Sequence, residues 1–334
     1  MKTKKIFLAL FFVSVMLMFL SCGGGMISIK MLEPAQHPLP GVKAIAVADF
    51  TAVRTYLGSP ADDVSNALSQ ALLDNGFFKV IERAQLKTIT SEHQLSVTGL
   101  TEESASQQIG QLLGANAIIT GHISDYSSRD FGEEVEEKRY NSKTKEYYME
   151  KVFKAFRKVR LEMTVKIINV ATGEIMVSKN YAPEVQRNVA RKTKGEAISA
   201  LPEAKSMLAG IINNIVKEFV NQIAPHTIYK GERLISKGKD LRMKDAFKFA
   251  RGGLWDNAIP IWEDIAEKGV LNDQKAALYN LAIAYQALAD YDGAIAYIDQ
   301  ALQLGSDSNA IAKKTELQNL KRKREEVIKQ LQDR

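Results

Sequence analysis

The sequence predicts an α+β chain in two parts. An α/β sandwich domain, with helices packed on a mixed sheet, is followed by an all-α array of helical hairpins. Three observations carry that reading. Between residues 42 and 126 the short apolar runs VKAIAVADF, FFKVIER and NAIITGHISDY, each bounded by turn signals, alternate with amphipathic stretches, the pattern of an α/β layer. Residues 159–167 then alternate apolar and polar, and Thr172-Gly173 turns the chain into a second run, EIMVS, as in a half-buried antiparallel pair. From Leu241 onward the character is helical, and Ala246–Gly269 aligns without a gap on Ala282–Gly305 at an offset of 36 residues.

Taken in order, residues 1–21 read as a secretory signal peptide. Lys2, Lys4 and Lys5 precede an apolar run from Ile6 to Leu20, shorter than the ~20 residues a spanning helix takes. Phe19-Leu20-Ser21-Cys22 resembles the lipobox of bacterial lipoproteins, with phenylalanine where leucine is usual. That resemblance implies a diacylated Cys22, and two acyl chains anchor firmly where one is marginal. The glycine after Cys22 implies, by the same resemblance, the periplasmic face of the outer membrane. An ordinary signal with a stray buried cysteine is the other reading. Residues 22–40, opening on Gly23-Gly24-Gly25 and carrying Pro34, Pro38 and Pro40, are expected to be a flexible, partly extended tether.

Residues 41–227 make the α/β domain. Ser59 can cap its first helix with Pro60 at the first position, Asp62 and Asp63 suit the positive end, and Gly76 can close it in a left-handed turn. Val64, Ala67, Leu68, Ala71 and Leu72 then share the face that meets the sheet. A second helix pair is expected before NAIITGHISDY. Residues 127–151 form a charged insertion in which Phe131, Val135, Tyr140, Tyr147 and Tyr148 stand isolated among charges such as Glu133, Glu134, Glu136 and Glu137; a solvated face is expected. Pro202–Ile223 is an amphipathic helix with Leu208, Ile211, Ile212, Ile215, Phe219 and Ile223 on the face for the sheet, and its polar face is not rich enough in Lys and Arg for a membrane-surface helix.

The pieces IAVADF, GFFKVIER, LLGANAIITGHISDY and VKIINVATGEI, in this order over roughly residues 42–223, resemble the curli production assembly/transport component (CsgG-like) family. The resemblance implies a periplasmic α/β domain and a homo-oligomer. It marks Asp49, Phe50, Glu82, Arg83, Gly114, Gly121, Thr172 and Gly173 as structural motif positions, with Glu82 and Arg83 expected to form a buried or half-buried ion pair. In that family's channel each subunit lends two hairpins to a shared transmembrane barrel, and here these would fall at 127–151 and 180–201. A spanning strand needs ~9–11 residues with one apolar side. Neither segment has one, so the barrel-forming parts are expected to be absent.

Residues 228–308 resemble tetratricopeptide (TPR) repeats. Ala246, Ala258, Ala282 and Ala294 would let helices cross closely, while Phe249, Trp255, Tyr285 and Tyr291 fill the gaps between them. Two repeats are fewer than the ~3 an independent array needs, so caps are expected: the final helix within 309–334 on one end, and Ile228–Lys239 on the other. The basic run Lys321–Arg324 is expected to be a solvated helix face. Such an array serves as a groove for a peptide or helix, with a structural spacer as the alternative.

Composition bounds the chemistry. The chain has 334 residues, 46% of them hydrophobic, enough for two modest cores. Its formal charge of +6 falls to +3 without the three leader lysines, 42 Lys and Arg against 39 Asp and Glu, which gives no argument for nucleic acid. One cysteine excludes an internal disulfide framework and a cysteine-cluster zinc site. His37, His93, His122 and His226 lack metal spacing, and HExxH, GxSxG and GxxxxGK[ST] motifs do not occur. His122 is expected to be a satisfied or edge histidine. No catalysis, cofactor or metal is expected. The function expected is that of an outer-membrane-anchored scaffold binding periplasmic or outer-membrane proteins, with a subunit of a curli-like secretion channel as the alternative.

Overall fold

The computed structural model describes residues 24–53, 59–81 and 114–333. The chain divides into two compact units, a sheet unit of Ala35–Pro225 with Gln330–Arg334, and a helical unit of Met1–Pro34 with His226–Lys329. Cys22, Glu82, Arg83 and the expected second helix pair lie outside the described residues. Strand β1 (Gly24–Glu33) opens the described chain and belongs to the helical unit.

In the sheet unit, β2 (Ala44–Val47), β3 (Thr51–Ala52), β4 (Lys79–Ile81), β5 (Ala117–Asn141), β6 (Glu146–Asn169), β7 (Ile175–Tyr181) and β8 (Glu184–Arg191) form one mixed sheet. Its order is β4-β2-β5-β6-β7, with β3 beside β5 and β8 beside β6. β2 runs parallel to β4 and β5, β3 runs parallel to β5, and β5, β7 and β8 pair antiparallel with β6. Helices α1 (Ala61–Asn75) and α3 (Ala204–Ile223) cover one face, where Leu68, Leu72, Ile211, Ile215 and Phe219 share a core with Ile45, Val47, Ile119, Leu161 and Ile167. Each such side chain contributes about 1.5–3 kcal/mol by leaving water, which is why the stripes in the sequence decide the layer. Gly76 closes α1 at φ +71°, as expected. Pro60 stands at the N-cap rather than inside the first turn, with Ser59 Oγ accepting from Ala61 N at 3.3 Å.

The segment expected to lack a hairpin is one. β5 and β6 pair without a break in the ladder's direction from Ala117↔Asn169 out to Asn141↔Glu146, with one irregularity between Ile123 and Asp125. Polar residues extend a ribbon as well as apolar ones when each strand completes the other's backbone hydrogen bonds. The second expected hairpin position holds an edge strand instead. β7 and β8 lie end to end along β6, Tyr181 opposite Met163 and Glu184 opposite Arg160, with Leu161 N donating to Pro183 O at 3.2 Å. Pro183 lacks a donor, which an edge tolerates. The short helix α2 (Lys194–Ser199) follows, started by a reciprocal Thr193–Glu196 capping box.

In the helical unit the expected tether is a strand: β1 pairs antiparallel with β9 (His226–Ile235), Gly24 opposite Ile235 and Glu33 opposite His226. The alternation of Ile27, Ile29 and Met31, all buried, outweighs the glycines before it and the prolines after it. Helices α4 (Arg242–Arg251), α5 (Trp255–Lys268), α6 (Leu271–Ala287) and α7 (Tyr291–Gln303) follow, and α8 (Ser308–Gln332) is last. The repeats therefore begin at α4, since 228–235 belong to β9. The 36-residue offset holds in the backbone. Leu254 N donates to Phe249 O and Asp290 N to Tyr285 O, both at 2.9 Å, and Gly253 and Ala289 take left-handed φ of +77° and +60°.

Candidate interaction surfaces

The β5–β6 ribbon is the sheet unit's main projecting feature. β8 accompanies it as far as Arg191 opposite Phe153, and beyond that pair it is two-stranded. At ~3.3 Å per residue, the 18 residues from Ser124 to Asn141 cover about 60 Å. Cross-strand partners share a face. One distal face carries Glu133/Lys154, Val135/Val152, Glu137/Glu150 and Arg139/Tyr148; the other carries Glu134/Phe153, Glu136/Lys151, Lys138/Met149 and Tyr140/Tyr147. Charge is thus present along both faces. Arg139 pairs with Glu150 at 2.9 Å, and Lys138 Nζ lies 4.4 Å from the Tyr147 ring centroid, itself paired with Tyr140. At the ribbon's root Arg157 grips Asp130 bidentately at 2.6 and 2.7 Å and donates to Pro202 O at 2.8 Å. The Arg157 hydrogen bond holds the Asp130 carboxyl below its ordinary range, against a smaller opposing effect of burial.

Among the motif positions, the structure brings Phe50 and Gly121 together. A Cβ on Gly121 would stand 2.2 Å from the Phe50 ring and 2.4 Å from Thr164 O, so the bare backbone there is what the ring packs on. Phe50 N donates to the buried Ser65 Oγ at 3.1 Å, tying the motif to α1. Asp49 is half-buried beside it. Gly114 and Gly173 take left-handed φ of +65° and +74°, and Thr172 closes its turn through Asn169 Oδ1 and Glu174. His122 Nδ1 meets Thr51 Oγ1 at 2.8 Å, the satisfied histidine expected.

Of the repeat positions, Ala246, Ala258, Ala282 and Ala294 are wholly buried and Tyr291 nearly so, while Phe249, Trp255 and Tyr285 pack half-buried against the same core. A buried polar network escapes the sequence pattern. Lys313 on α8 reaches Glu232 on β9 at 2.7 Å, Gln286 donates to Glu232 at 3.0 Å, and Lys230 and Glu316 close the ring. Burial alone would push the Glu232 carboxyl up, but the charge and hydrogen bond of Lys313 hold it below its ordinary value. The expected solvated run on α8 is partly engaged: Lys321 pairs with Asp292, and Lys323 with Glu33 of β1. The partners lie 29 and 290 residues away, too far for any local signal.

Among the described residues, no helix is long and apolar enough to cross a membrane, and no group of His, Cys, Asp and Glu is placed to hold a metal. The family model of the curli production assembly/transport component CsgG matches residues 30–234, and that of a domain of unknown function, DUF6340, matches residues 244–327. Among solved structures, the chain is similar to the LpoB C-terminal domain from Salmonella enterica, at 20% identity over 45% of this chain and 87% of that one, with a TM-score of 0.30. Lipoprotein GNA1162 from Neisseria meningitidis is similar at 10% identity over 52% and 97%, with a TM-score of 0.30. A PelC dodecamer from Paraburkholderia phytofirmans is similar at 10% identity over 59% and 96%, also with a TM-score of 0.30. No curated protein matches the chain at a significant level.

Proposed function

The chain belongs to the curli production assembly/transport component CsgG family, and from that premise we propose that it is a non-catalytic scaffold for envelope or surface-structure assembly and export. It is an outer-membrane lipoprotein held on the periplasmic side through Cys22. It acts as a homo-oligomer, with the TPR-like repeats gripping periplasmic or outer-membrane proteins. The single observation that carries this is the charge on both faces of the distal ribbon, because a strand facing lipid must be apolar on one side. Such a ribbon meets water or another protein. Cys22→Ala should release the protein from the membrane fraction without detergent; retention at the wild-type level would defeat the anchor. The second reading, a subunit of a curli-like channel, is favoured by the ribbon's length, since the 18 residues from Ser124 to Asn141 exceed the ~9–11 that cross a bilayer.

A further inference from the structure

The helical unit contains a cleft of about 1060 Å³ where the end of β9 meets the N-terminal ends of α6 and α8. Arg233, Lys237, Lys239 and Lys275 line it. Two carboxylates also line it, and both are occupied by backbone. Asp273, 4% exposed, accepts from Lys239 N and Asp240 N at 3.1 and 2.7 Å. Asp307 accepts from Asn309 N and Ala310 N at 2.7 and 3.1 Å. The lining keeps a net +2. Several cations elsewhere in the unit find carboxylates, as Lys313 finds Glu232, Lys314 Asp299 and Lys321 Asp292. Among the described residues, none of the four in the cleft has an ion-pair partner. Four cations gathered against two carboxylates make a field that attracts an anion.

Two further observations say which anion. Val270 and Leu271 at the cleft are 47% and 51% exposed, and Leu241, next to the Asp240 held by Asp273, is 84% exposed. Aliphatic side chains beside lysines are the composition of a surface that lies on an anionic bilayer. The register of β1 also sets Gly24 opposite Ile235, which lines the cleft. Cys22 is two residues before Gly24, a reach of about 7–8 Å at most. We infer that this cleft takes the phosphate headgroup of an anionic phospholipid in the leaflet that the Cys22 acyl chains enter. The inference rests on the lipid-anchor reading for where the bilayer lies, and it gives that anchor a fixed orientation.

The test uses the mature chain with Cys22→Ser, so that no acyl chain contributes, sedimented with vesicles of phosphatidylcholine alone or with phosphatidylglycerol added. It should bind the second kind only. Lys237→Gln with Lys275→Gln should weaken binding roughly thirtyfold, at ~1 kcal/mol per cation near an anionic surface. Arg251→Gln with Lys329→Gln removes the same charge from exposed positions outside the cleft, at the far ends of α4 and α8, and should weaken binding less than about threefold because distant charges are screened. Equal binding to both vesicles, or equal loss in both variants, would overturn the inference. So would vesicles left unbound while polyglutamate or free glycerol phosphate binds in a manner sensitive to Lys237 and Lys275, which would assign the cleft to an acidic peptide or a soluble anion. Membrane release of Cys22→Ala, read in high salt so that the charges of the cleft are screened, reports on the anchor, and the vesicle assay, with no acyl chain present, reports on the cleft.

Discussion

Gly121 shows how one residue can hold a motif together. The Phe50 ring and Thr164 O both stand inside contact distance of any Cβ added there, and the ring cannot move without leaving the core it shares with α1. Gly121→Ala should therefore lose about 1–3 kcal/mol of stability, the usual cost of overpacking, read from urea unfolding; an unchanged midpoint would show that the sheet yields. Glu232 is the sharper case. Glu232→Gln leaves Lys313, 3% exposed, with Glu316 at 3.1 Å as its remaining carboxylate, and should cost up to about 3 kcal/mol. Replacing both by methionine should recover most of that loss. The Glu232 carboxyl is depressed in the folded state, so its stabilisation is fully present above the ordinary value of 4.5. It is lost as pH falls through the lower folded value, where the proton must be taken up. Urea midpoints followed downward from neutral pH should fall in the wild type, and the Glu232→Gln variant should lack that part of the fall.

At the scale of elements, legibility followed period and locality. The stripes of α1 and α3 and the alternation of β6 could be read because each is a local repeat that burial enforces, and the 36-residue offset because two copies state the same turn. β1 was missed although Ile27, Ile29 and Met31 alternate, because flanking glycines and prolines carry the same signal as a tether and its partner β9 lies some 200 residues on. The ribbon was missed for a different reason: its strands stabilise each other through backbone pairing, and charge patterning is silent about that. The network around Glu232 joins elements far apart and has no sequence signature. Two outcomes follow. Ile29→Asp puts a charge at a position 2% exposed and should lower the helical unit's melting temperature by several degrees, at least ~2 kcal/mol of destabilisation. Replacing residues 136–151 by a two-residue turn, which closes the hairpin on the Val135↔Val152 pair, should leave thermal stability within about 1 kcal/mol, since the distal ribbon adds no core residues beyond Val152. The same trimming should weaken self-association, while partners held by the helical repeats should still co-purify. A large drop in melting temperature would show that the ribbon is structural instead.

For the whole molecule the choice is between the proposed scaffold and a pore, and the ribbon's chemistry supports the scaffold by arithmetic. Whichever distal face met lipid, each subunit would carry two basic side chains into hydrocarbon, Arg139 and Lys154 on one face or Lys138 and Lys151 on the other. At ~2–4 kcal/mol each near the midplane, that is about 4–8 kcal/mol per subunit before any carboxylate is counted. An oligomer multiplies this by its subunit number, while closing the barrel recovers only edge hydrogen bonds that water already satisfies in the open ribbon. Full-length protein purified in detergent and added to a planar lipid bilayer should therefore give no discrete conductance steps at any applied voltage, and its strand content by far-ultraviolet circular dichroism should not rise on addition of vesicles. Stepwise currents that vanish when residues 136–151 are trimmed would assign the ribbon to a barrel wall, and the scaffold reading would fall with it.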